Sequence, residues 1–337
     1  MESSVAIAEL SPDKGLALLT TRFIHKGEVL FTERPLICCQ LSWNRFYGYK
    51  SCDFCLQPLE SAQENARRLL RDNTFNLPFV PGACDGHSSV QIFQCPSCGV
   101  EFCSETCLFA SLKEYHPFIC CRGYENPFFQ LEQEWRESHL PPETGTVMLL
   151  VRIAAVHFSA HFHQCERAQH IVSALSRFVS SPVVELHNND GNRQSSSTIS
   201  LRHRMMGPTF SGNLTRLHAL FLKVMEEMAR RTGATTRDDV ADVLQQVGLD
   251  SLLSEQGFCS ALCLIGRNGQ GIGTSSLGEW GKSAEKAVKE RCDSSEIRKF
   301  SEYLDTLYEK LDETAGEYLD VEGVGLYELQ SKCGIVR

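Results

Sequence analysis

The sequence has no long hydrophobic run and no apolar leader at its N-terminus. Its most apolar stretch, residues 147–156, is interrupted by Arg152 and is too short to cross the roughly 30 Å hydrocarbon core of a bilayer. Glu2, Glu9 and Asp13 lie where a secretory signal would carry basic and then apolar residues. We therefore expect a protein without a membrane span that works inside the cell, in the nucleus and cytoplasm.

Basic residues are also in deficit. The 33 lysines and arginines face 42 aspartates and glutamates, which gives a net charge of -9, whereas a protein that binds duplex nucleic acid needs a basic face. Arg67, Arg68 and Arg71 share their segment with Glu60 and Glu64. A solvated helical face is therefore favoured there over direct nucleic-acid binding. The acidic balance instead suits a basic protein or peptide substrate, such as a histone tail, through long-range attraction.

The chain contains enough apolar sequence for more than one core. Its 337 residues exceed the roughly 150 expected of one domain, and 42% hydrophobic with 22% charged residues is an ordinary globular balance. Short apolar runs between turn residues predict strands and hairpins at residues 5–41. Residues 187–200 lack periodicity and are predicted to form a mobile loop. Apolar spacing predicts helices at 59–70, 146–162, 214–228, 240–247 and 297–311.

Cysteine is abundant, with 16 in the chain. In a reducing compartment such a density favours metal binding over disulfides. Two ligands a few residues apart can bind one ion from a single tight turn, and Zn²⁺ prefers four such ligands in a closed structural site. Cysteines that are merely buried are the alternative, but chance rarely gives four chelating pairs in succession. The pairs, which suffice for two zinc ions, are Cys52 and Cys55, Cys95 and Cys98, Cys103 and Cys107, and His116 and Cys120.

The other cysteines show no chelating constellation. Cys84 and His87 lie between the first two pairs and are interpreted as non-ligands. Cys259 and Cys263, four residues apart in an apolar stretch, are interpreted as small buried hydrophobes. The cysteines outside the four pairs are Cys38, Cys39, Cys84, Cys121, Cys165, Cys259, Cys263, Cys292 and Cys333.

The pattern of pairs resembles the MYND zinc finger. Residues 102–107, followed by Tyr115, His116 and Cys120, are similar to the second half of that finger. Residues 56–94 form a longer link than is usual in the family, which is tolerable because the cost of loop closure grows only logarithmically with length. The resemblance implies two cross-braced sites, one held by Cys52, Cys55, Cys103 and Cys107 and the other by Cys95, Cys98, His116 and Cys120.

A MYND finger between flanks of this kind resembles the SET-and-MYND family of protein-lysine methyltransferases. Residues 14–35 resemble the opening of a split SET domain, residues 268–274 and 323–327 resemble its resumed strands, and Asn65 and Ala66 favour the divergent fifth member. The resemblance implies an α+β fold, in which a β-rich split SET domain is interrupted by a two-zinc MYND finger and accompanied by a helical region. The implied domains are an N-terminal SET part at 1–45, the finger at 46–125, a helical insert at 126–255 and a C-terminal SET part at 256–337.

The resemblance further implies S-adenosylmethionine as the methyl donor and a lysine of a histone or other basic protein as the acceptor. On their own, the glycine-rich residues 268–273 predict only a turn, because they match neither a P-loop nor a dinucleotide-binding fingerprint. The positions that the resemblance assigns to the cofactor are Lys14, Gly15, Leu16, Asn268 and Ser331.

Two later motifs of the family have no counterpart after Cys333. Residues 334–337 replace the expected Asn-His-Ser-Cys, and the family's channel tyrosine is missing, so no catalytic residue is assigned. Tyr327 is interpreted as a packing residue. We expect a monomer whose SET domain is incomplete at its C-terminal end and which lacks full activity. The alternative is a non-catalytic, zinc-dependent scaffold or competitor that binds a proline-containing peptide through the MYND finger.

Overall fold

Helices and short strands alternate along the chain. The computed structural model describes residues 4–11, 15–88, 90–121, 126–138, 145–178, 210–273, 275–315 and 322–333. The mixed helix-and-sheet class expected from the sequence is confirmed. The loop predicted at 187–200 and the implied cofactor residue Lys14 lie outside the described residues. No helix among those described has the length and apolar character needed to span a bilayer.

The described residues contain seven strands in three small antiparallel sheets. Their bounds are Val5–Ser11 (β1), Gly15–Thr20 (β2), Ile37–Gln40 (β3), Phe93–Gln94 (β4), Glu101–Phe102 (β5), Gln270–Ile272 (β6) and Gly323–Leu326 (β7). β1 pairs with β2, β4 pairs with β5, and β7 lies between β3 and β6. Strands predicted at residues 5–41 are confirmed as β1, β2 and β3, whereas the apolar run at residues 29–31 within that range forms no strand.

Twelve α-helices account for most of the described residues. They are Ser42–Phe46 (α1), Ala62–Leu70 (α2), Glu105–Glu114 (α3), His116–Ile119 (α4), Pro127–Ser138 (α5), Val147–Phe162 (α6), Glu166–Leu175 (α7), Phe210–Arg230 (α8), Arg237–Gln246 (α9), Glu255–Asn268 (α10), Ser276–Arg291 (α11) and Ser294–Ala315 (α12). Short 3₁₀ turns occur at Asp250–Leu253 and Gln330–Lys332. The five helices predicted from apolar spacing are confirmed as α2, α6, α8, α9 and α12.

The three-stranded sheet joins distant parts of the sequence. Ile37 in β3 pairs with Leu326 in β7, and Gln40 pairs with Gly323. On its other edge β7 pairs with β6, where Gln270 lies opposite Gly325. All four residues of β7 are buried, as expected of a central strand whose faces are both covered. The sheet thus binds residues near the N-terminus to residues beyond position 320.

The main hydrophobic core surrounds α6. The side chain of Thr146 caps this helix by accepting a hydrogen bond from the Met148 amide. The helix is apolar on all sides, which is characteristic of a helix enclosed by other elements. It lies against β3, α3, α4, α7, α8 and α10. Fully buried core residues include Phe158 on α6 and Phe221 and Met228 on α8.

A second core forms where α2 packs on the pair α11 and α12. α2 begins with a capping box in which Ser61 and Glu64 exchange hydrogen bonds with each other's backbone amides. Its Leu69 is buried in one cluster with Trp280 of α11 and Leu307 of α12. The segment between the first two cysteine pairs is therefore held by helices that follow it by about two hundred positions in the sequence.

Gly323 allows the first cysteine turn to lie directly on β7. A methyl group on its Cα would overlap Leu56 Cδ1 and would lie 2.8 Å from the carbonyl oxygen of Cys39. Leu56 is fully buried and has a φ of 62°, in the left-handed region that costs a non-glycine residue about 1 kcal/mol or more. Burial of its side chain against β7 offsets that cost.

We predict that Gly323→Ala lowers the free energy of unfolding by about 1–3 kcal/mol, because the added methyl overpacks a close contact. Chemical denaturation of the zinc-loaded chain measures the change. Gly278→Ala is the matched control, since a methyl there would meet Ser275 at an ordinary 3.5 Å. Equal stability of the two variants would contradict the contact between the cysteine turn and β7.

Candidate metal centre

The first two cysteine pairs form turns with the same hydrogen-bond pattern. In the first turn the Cys52 amide donates to Gln57 O at 2.8 Å, and the Leu56 amide donates to Cys52 O at 2.9 Å. In the second, the Cys95 amide donates to Val100 O and the Gly99 amide to Cys95 O, both at 2.9 Å. Leu56 and Gly99, at equivalent positions, both have positive φ. Each turn directs its two sulfur atoms to the same side.

The other four candidate ligands lie on or beside two short helices. The Ser104 side chain caps α3 by accepting a hydrogen bond from the Cys107 amide, which places Cys103 and Cys107 together at the start of that helix. α4 begins at His116, and the Cys120 amide donates to His116 O at 2.7 Å. These helices bring the third and fourth pairs next to the two turns.

The eight residues come together in two groups of four, and each group could hold a metal ion. Within a group all potential ligand atoms lie within 4.8 Å of one another. The first group is Cys52, Cys55, Cys103 and Cys107, and the second is Cys95, Cys98, His116 and Cys120. This is the cross-braced grouping that the family resemblance implies.

Distances within the groups fit a tetrahedral zinc ion. Zn–S bonds of about 2.3 Å require sulfur atoms about 3.8 Å apart. In the first group Cys103 Sγ lies 3.5 Å from Cys55 Sγ and 3.6 Å from Cys107 Sγ. In the second group Cys95 Sγ lies 3.8 Å from Cys120 Sγ. His116 Nε2 lies 3.4 Å from Cys98 Sγ, so this nitrogen faces the second group.

The protonation of these groups also suits metal binding. A hydrogen bond from the Cys55 thiol lowers the pKa of Cys52 to about 5, and the same interaction raises the pKa of Cys55. The lowered pKa of Cys52 favours its thiolate, which is the form that binds metal. Burial lowers the pKa of His116, which favours the neutral imidazole that zinc requires.

Cysteines outside the four pairs belong to neither group. Cys84 is exposed, and its backbone amide donates to Ser283 Oγ at 2.8 Å. His87 is also exposed. Cys259 is 2% exposed in the main core, and Cys263 packs against that core. The predicted burial is confirmed for Cys259, whereas Cys263 is partly buried.

A buried ion pair attaches the candidate metal centre to the main core. Arg152 on α6 is 3% exposed, and its Nη2 donates to Asp53 Oδ1 at 2.7 Å. Its Nη1 donates to the carbonyl oxygens of Cys38, at 2.7 Å, and Asp53, at 2.5 Å. The Tyr115 ring lies 4.4 Å from the guanidinium carbon, and the Tyr115 hydroxyl donates to Asp53 Oδ2 at 3.0 Å. One side chain thus contacts β3, the first cysteine turn and the residue before His116.

Asp53 remains ionised in this network. Burial alone would raise the pKa of its carboxyl group, but the guanidinium groups of Arg152 and Arg45 hold that pKa below its usual value. Neither the composition of the sequence nor the spacing of its residues predicts that Asp53 forms a buried ion pair. Arg152 is a lone arginine in the most apolar segment of the chain. Because a buried arginine needs an anionic partner, this position indicates a buried ion pair.

The described cofactor positions lie on adjoining elements. Leu16 is in β2, which packs against the 3₁₀ turn that contains Ser331. Asn268 ends α10, is 6% exposed and donates from Nδ2 to Leu264 O at 2.8 Å. β6 follows Asn268 and pairs with β7, which leads into the same 3₁₀ turn. Tyr327 lies between β7 and that turn and is half-buried.

The arginines of α2 bind within the protein. Arg68 pairs with Glu60 and lies over the Tyr49 ring, with its guanidinium carbon 4.0 Å from the ring centre. Arg67 donates to Phe75 O at 2.7 Å and to Asn76 Oδ1 at 2.7 Å. These contacts engage the guanidinium groups of Arg67 and Arg68 in the folding of the segment.

We predict that Cys103→Ala lowers the bound zinc from about two ions per chain to about one, because the first group loses one of its four ligands. Mass-spectrometric metal analysis of the purified chain measures the ratio. Cys84→Ala, a variant of an exposed cysteine outside both groups, should keep the wild-type ratio. An unchanged ratio in the Cys103 variant would show that the first group does not hold zinc.

We predict that Arg152→Met lowers the free energy of unfolding by about 3–5 kcal/mol, because the change leaves the Asp53 carboxylate buried without its main partner. Arg298→Met is the control. The Arg298 side chain is 74% exposed and its ion pair with Glu302 is at 3.8 Å, so its loss should cost less than about 1 kcal/mol. Urea denaturation compares the variants. Similar stability of the two would exclude Arg152 as the link between core and metal centre.

Comparisons with known proteins extend over nearly the whole chain. Protein-lysine N-trimethyltransferase SMYD5 of Gallus gallus is 34% identical over 328 residues, which cover 96% of this chain and 68% of the relative. The protein of the same name from Homo sapiens is 32% identical over 334 residues, covering 98% and 70%. That from Danio rerio is 33% identical over 328 residues, covering 95% and 68%. No protein-family model and no solved structure matches. The chain belongs to the SMYD family of protein-lysine methyltransferases and is similar to its member SMYD5.

Proposed function

We propose that the chain transfers a methyl group from S-adenosylmethionine to a lysine of a histone or another basic protein. The observation that carries this proposal is the similarity of 96% of the chain to a protein-lysine N-trimethyltransferase at 34% identity. The acidic net charge of -9 supports a basic substrate, since it attracts such a segment over long range. The proposed domains are those of a split SET architecture, with SET parts at 1–45 and 256–337, a MYND finger at 46–125 and a helical insert at 126–255.

The two groups of four residues are proposed to bind one structural zinc ion each. Their donor sets, four thiolates in the first group and three thiolates with one imidazole in the second, are those of closed structural sites. Zinc would fix the two cysteine turns to α3 and α4. Because Asp53 lies inside the first turn and pairs with Arg152, the same metal would hold β3 and α6 in register with the finger.

S-adenosylmethionine is proposed to bind near Lys14, Gly15, Leu16, Asn268 and Ser331. The pairing of β1 with β2 shifts register between Glu9 and Ser11, opposite Leu16 and Gly15. Such bulges commonly occur beside functional sites, where they redirect side chains. When bound, the cofactor supplies an electrophilic methyl group on a sulfonium. The chain itself must hold a neutral lysine amine in line with that methyl and keep water away.

The second candidate function is a non-catalytic scaffold that binds a proline-containing peptide through the finger. The observation that favours it is Phe109, which lies on α3 between the ligands of the finger and is 57% exposed. An exposed aromatic ring on a rigid helix can pack against an extended proline-rich segment. This function needs zinc but neither S-adenosylmethionine nor a catalytic tyrosine.

We predict saturable binding of S-adenosylmethionine by the zinc-loaded chain in calorimetric titration. Asn268→Ala should weaken binding by about tenfold or more, because a buried polar contact to the cofactor is lost. Asn73→Ala is the control, since Asn73 is exposed on another part of the chain. Thermal unfolding and zinc content of each variant verify that it is folded.

Methyl transfer is then measured with radiolabelled cofactor and core histones. Transfer to lysine that depends on Asn268 supports the first function. A folded, zinc-loaded chain that binds no cofactor contradicts it. Retained binding of a proline-rich peptide, sensitive to Phe109→Ala, would then establish the second.

A further inference from the structure

A cavity of about 370 Å³ lies between the second group of metal ligands and the main core. Its walls come from α5, α6, β3 and the start of α4, and it is separate from the elements that carry the proposed cofactor positions. Most of the lining is apolar, as in sites that bind small organic groups. Four lining residues used below are Phe128, Phe129, Glu132 and Met148.

Glu132 is a buried carboxylate without a close partner. The residue is 8% exposed. Its nearest cationic atom among the described residues is Arg45 Nε, at 4.0 Å, and within the same residues its carboxylate accepts no hydrogen bond. An ionised carboxylate that is removed from water normally has a donor at hydrogen-bond distance. Glu132 therefore offers an unused binding position for a cation that enters the cavity.

The other charges around the cavity do not fill this position. Arg152 is bound to Asp53 and to the carbonyl oxygen of Cys38. Arg45 lies 3.5 Å from Asp53, and its side chain is 41% exposed. A third arginine, Arg231, lies over the Phe128 ring with its guanidinium carbon 5.5 Å from the ring centre, and it is bound to Glu227 and to the carbonyl oxygen of Pro117. The nearby arginines are therefore each paired with a carboxylate. A zinc ion on three thiolates and one imidazole would add one negative charge beside the cavity.

Two phenylalanines lie on the same helix as Glu132. Phe128 and Phe129 precede Glu132 by four and three residues on α5 and therefore lie near its side of the helix. All three line the cavity together with Met148. Arg231 already lies over the Phe128 ring, so Phe129 is the aromatic residue of this pair that we expect to contact an ammonium beside Glu132.

Two buried donor atoms belong to residues that line the cavity. His116 Nδ1 and Arg152 Nε are buried without a hydrogen-bond partner among the described residues, and both side chains line the cavity. With a metal ion bound at His116 Nε2, Nδ1 would carry the proton. A lysine residue within a peptide has an ammonium for Glu132 and a hydrocarbon stem for the apolar lining.

We propose that this cavity is an accessory binding site for a lysine side chain of a basic peptide, with Glu132 as the group that binds the ammonium. The site is independent of methyl transfer and of the cofactor. It would hold one lysine of a basic partner beside the finger while other residues of that partner bind elsewhere.

The test uses nuclear magnetic resonance of the full, zinc-loaded chain with ¹³C-labelled methionine methyl groups. Nα-acetyl-lysine-N-methylamide is the probe, and the corresponding norleucine compound has the same stem without the charge. The lysine probe should shift the Met148 resonance saturably and leave Met225 and Met228, which are buried in the main core, unchanged. The norleucine probe should bind at least about tenfold more weakly.

Glu132→Gln removes the charge at nearly constant size and should weaken the lysine probe by about tenfold or more. Glu137→Gln, on the same helix but bonded only to Gln133 at 3.0 Å among the described residues, is the matched control and should leave affinity unchanged. S-adenosylmethionine affinity should be the same in both variants. An unmoved Met148 resonance, equal shifts with the two probes, or unchanged affinity of the Glu132 variant would overturn the proposal. If that variant fails to fold, the two probes on the wild-type chain still decide the outcome.

Discussion

The contact between Arg152 and Asp53 determines how the metal centre sits on the rest of the protein. Asp53 lies within the first cysteine turn, and Arg152 lies in the middle of the helix at the centre of the main core. Both charges are buried. Arg152 depends on Asp53 and on the carbonyl oxygen of Cys38, and Asp53 depends on Arg152, Arg45 and the Tyr115 hydroxyl. Since metal ligands flank Asp53 in the sequence, the geometry of the first metal group and the packing of α6 are mutually dependent.

The two cysteine turns have the same hydrogen-bond pattern but use different residues at the position with positive φ. Both require a positive φ after the second cysteine, and the second turn uses Gly99, the residue best suited to that conformation. The first turn uses Leu56, whose side chain packs on Gly323. A strained leucine in the first turn and a glycine in β7 are therefore complementary. The second turn does not pack on the sheet in this way, so no side chain is required at position 99.

The eight candidate ligands could be predicted from spacing because chelation by neighbouring residues is a local property. Amphipathic helices such as α8 and α12 could also be predicted from the sequence, since their apolar periodicity is a local property. The partition of ligands into two groups came from family resemblance, because spacing alone permits several. Contacts between distant residues could not be predicted. The pairing of Arg152 with Asp53, the docking of α2 on α11 and the cavity around Glu132 all depend on how remote segments meet.

The docking of α2 on α11 and α12 has a consequence for synthesis on the ribosome. All the candidate ligands have emerged once residue 120 leaves the exit tunnel, whereas Trp280 and Leu307, which cover α2, follow much later. At translation rates of about 5–20 residues per second, roughly 200 residues take about 10–40 s. During that interval the finger can acquire metal while Leu69 and its neighbours remain uncovered. Until α11 and α12 are synthesised, the apolar face of α2 is therefore open to chaperone binding and to aggregation.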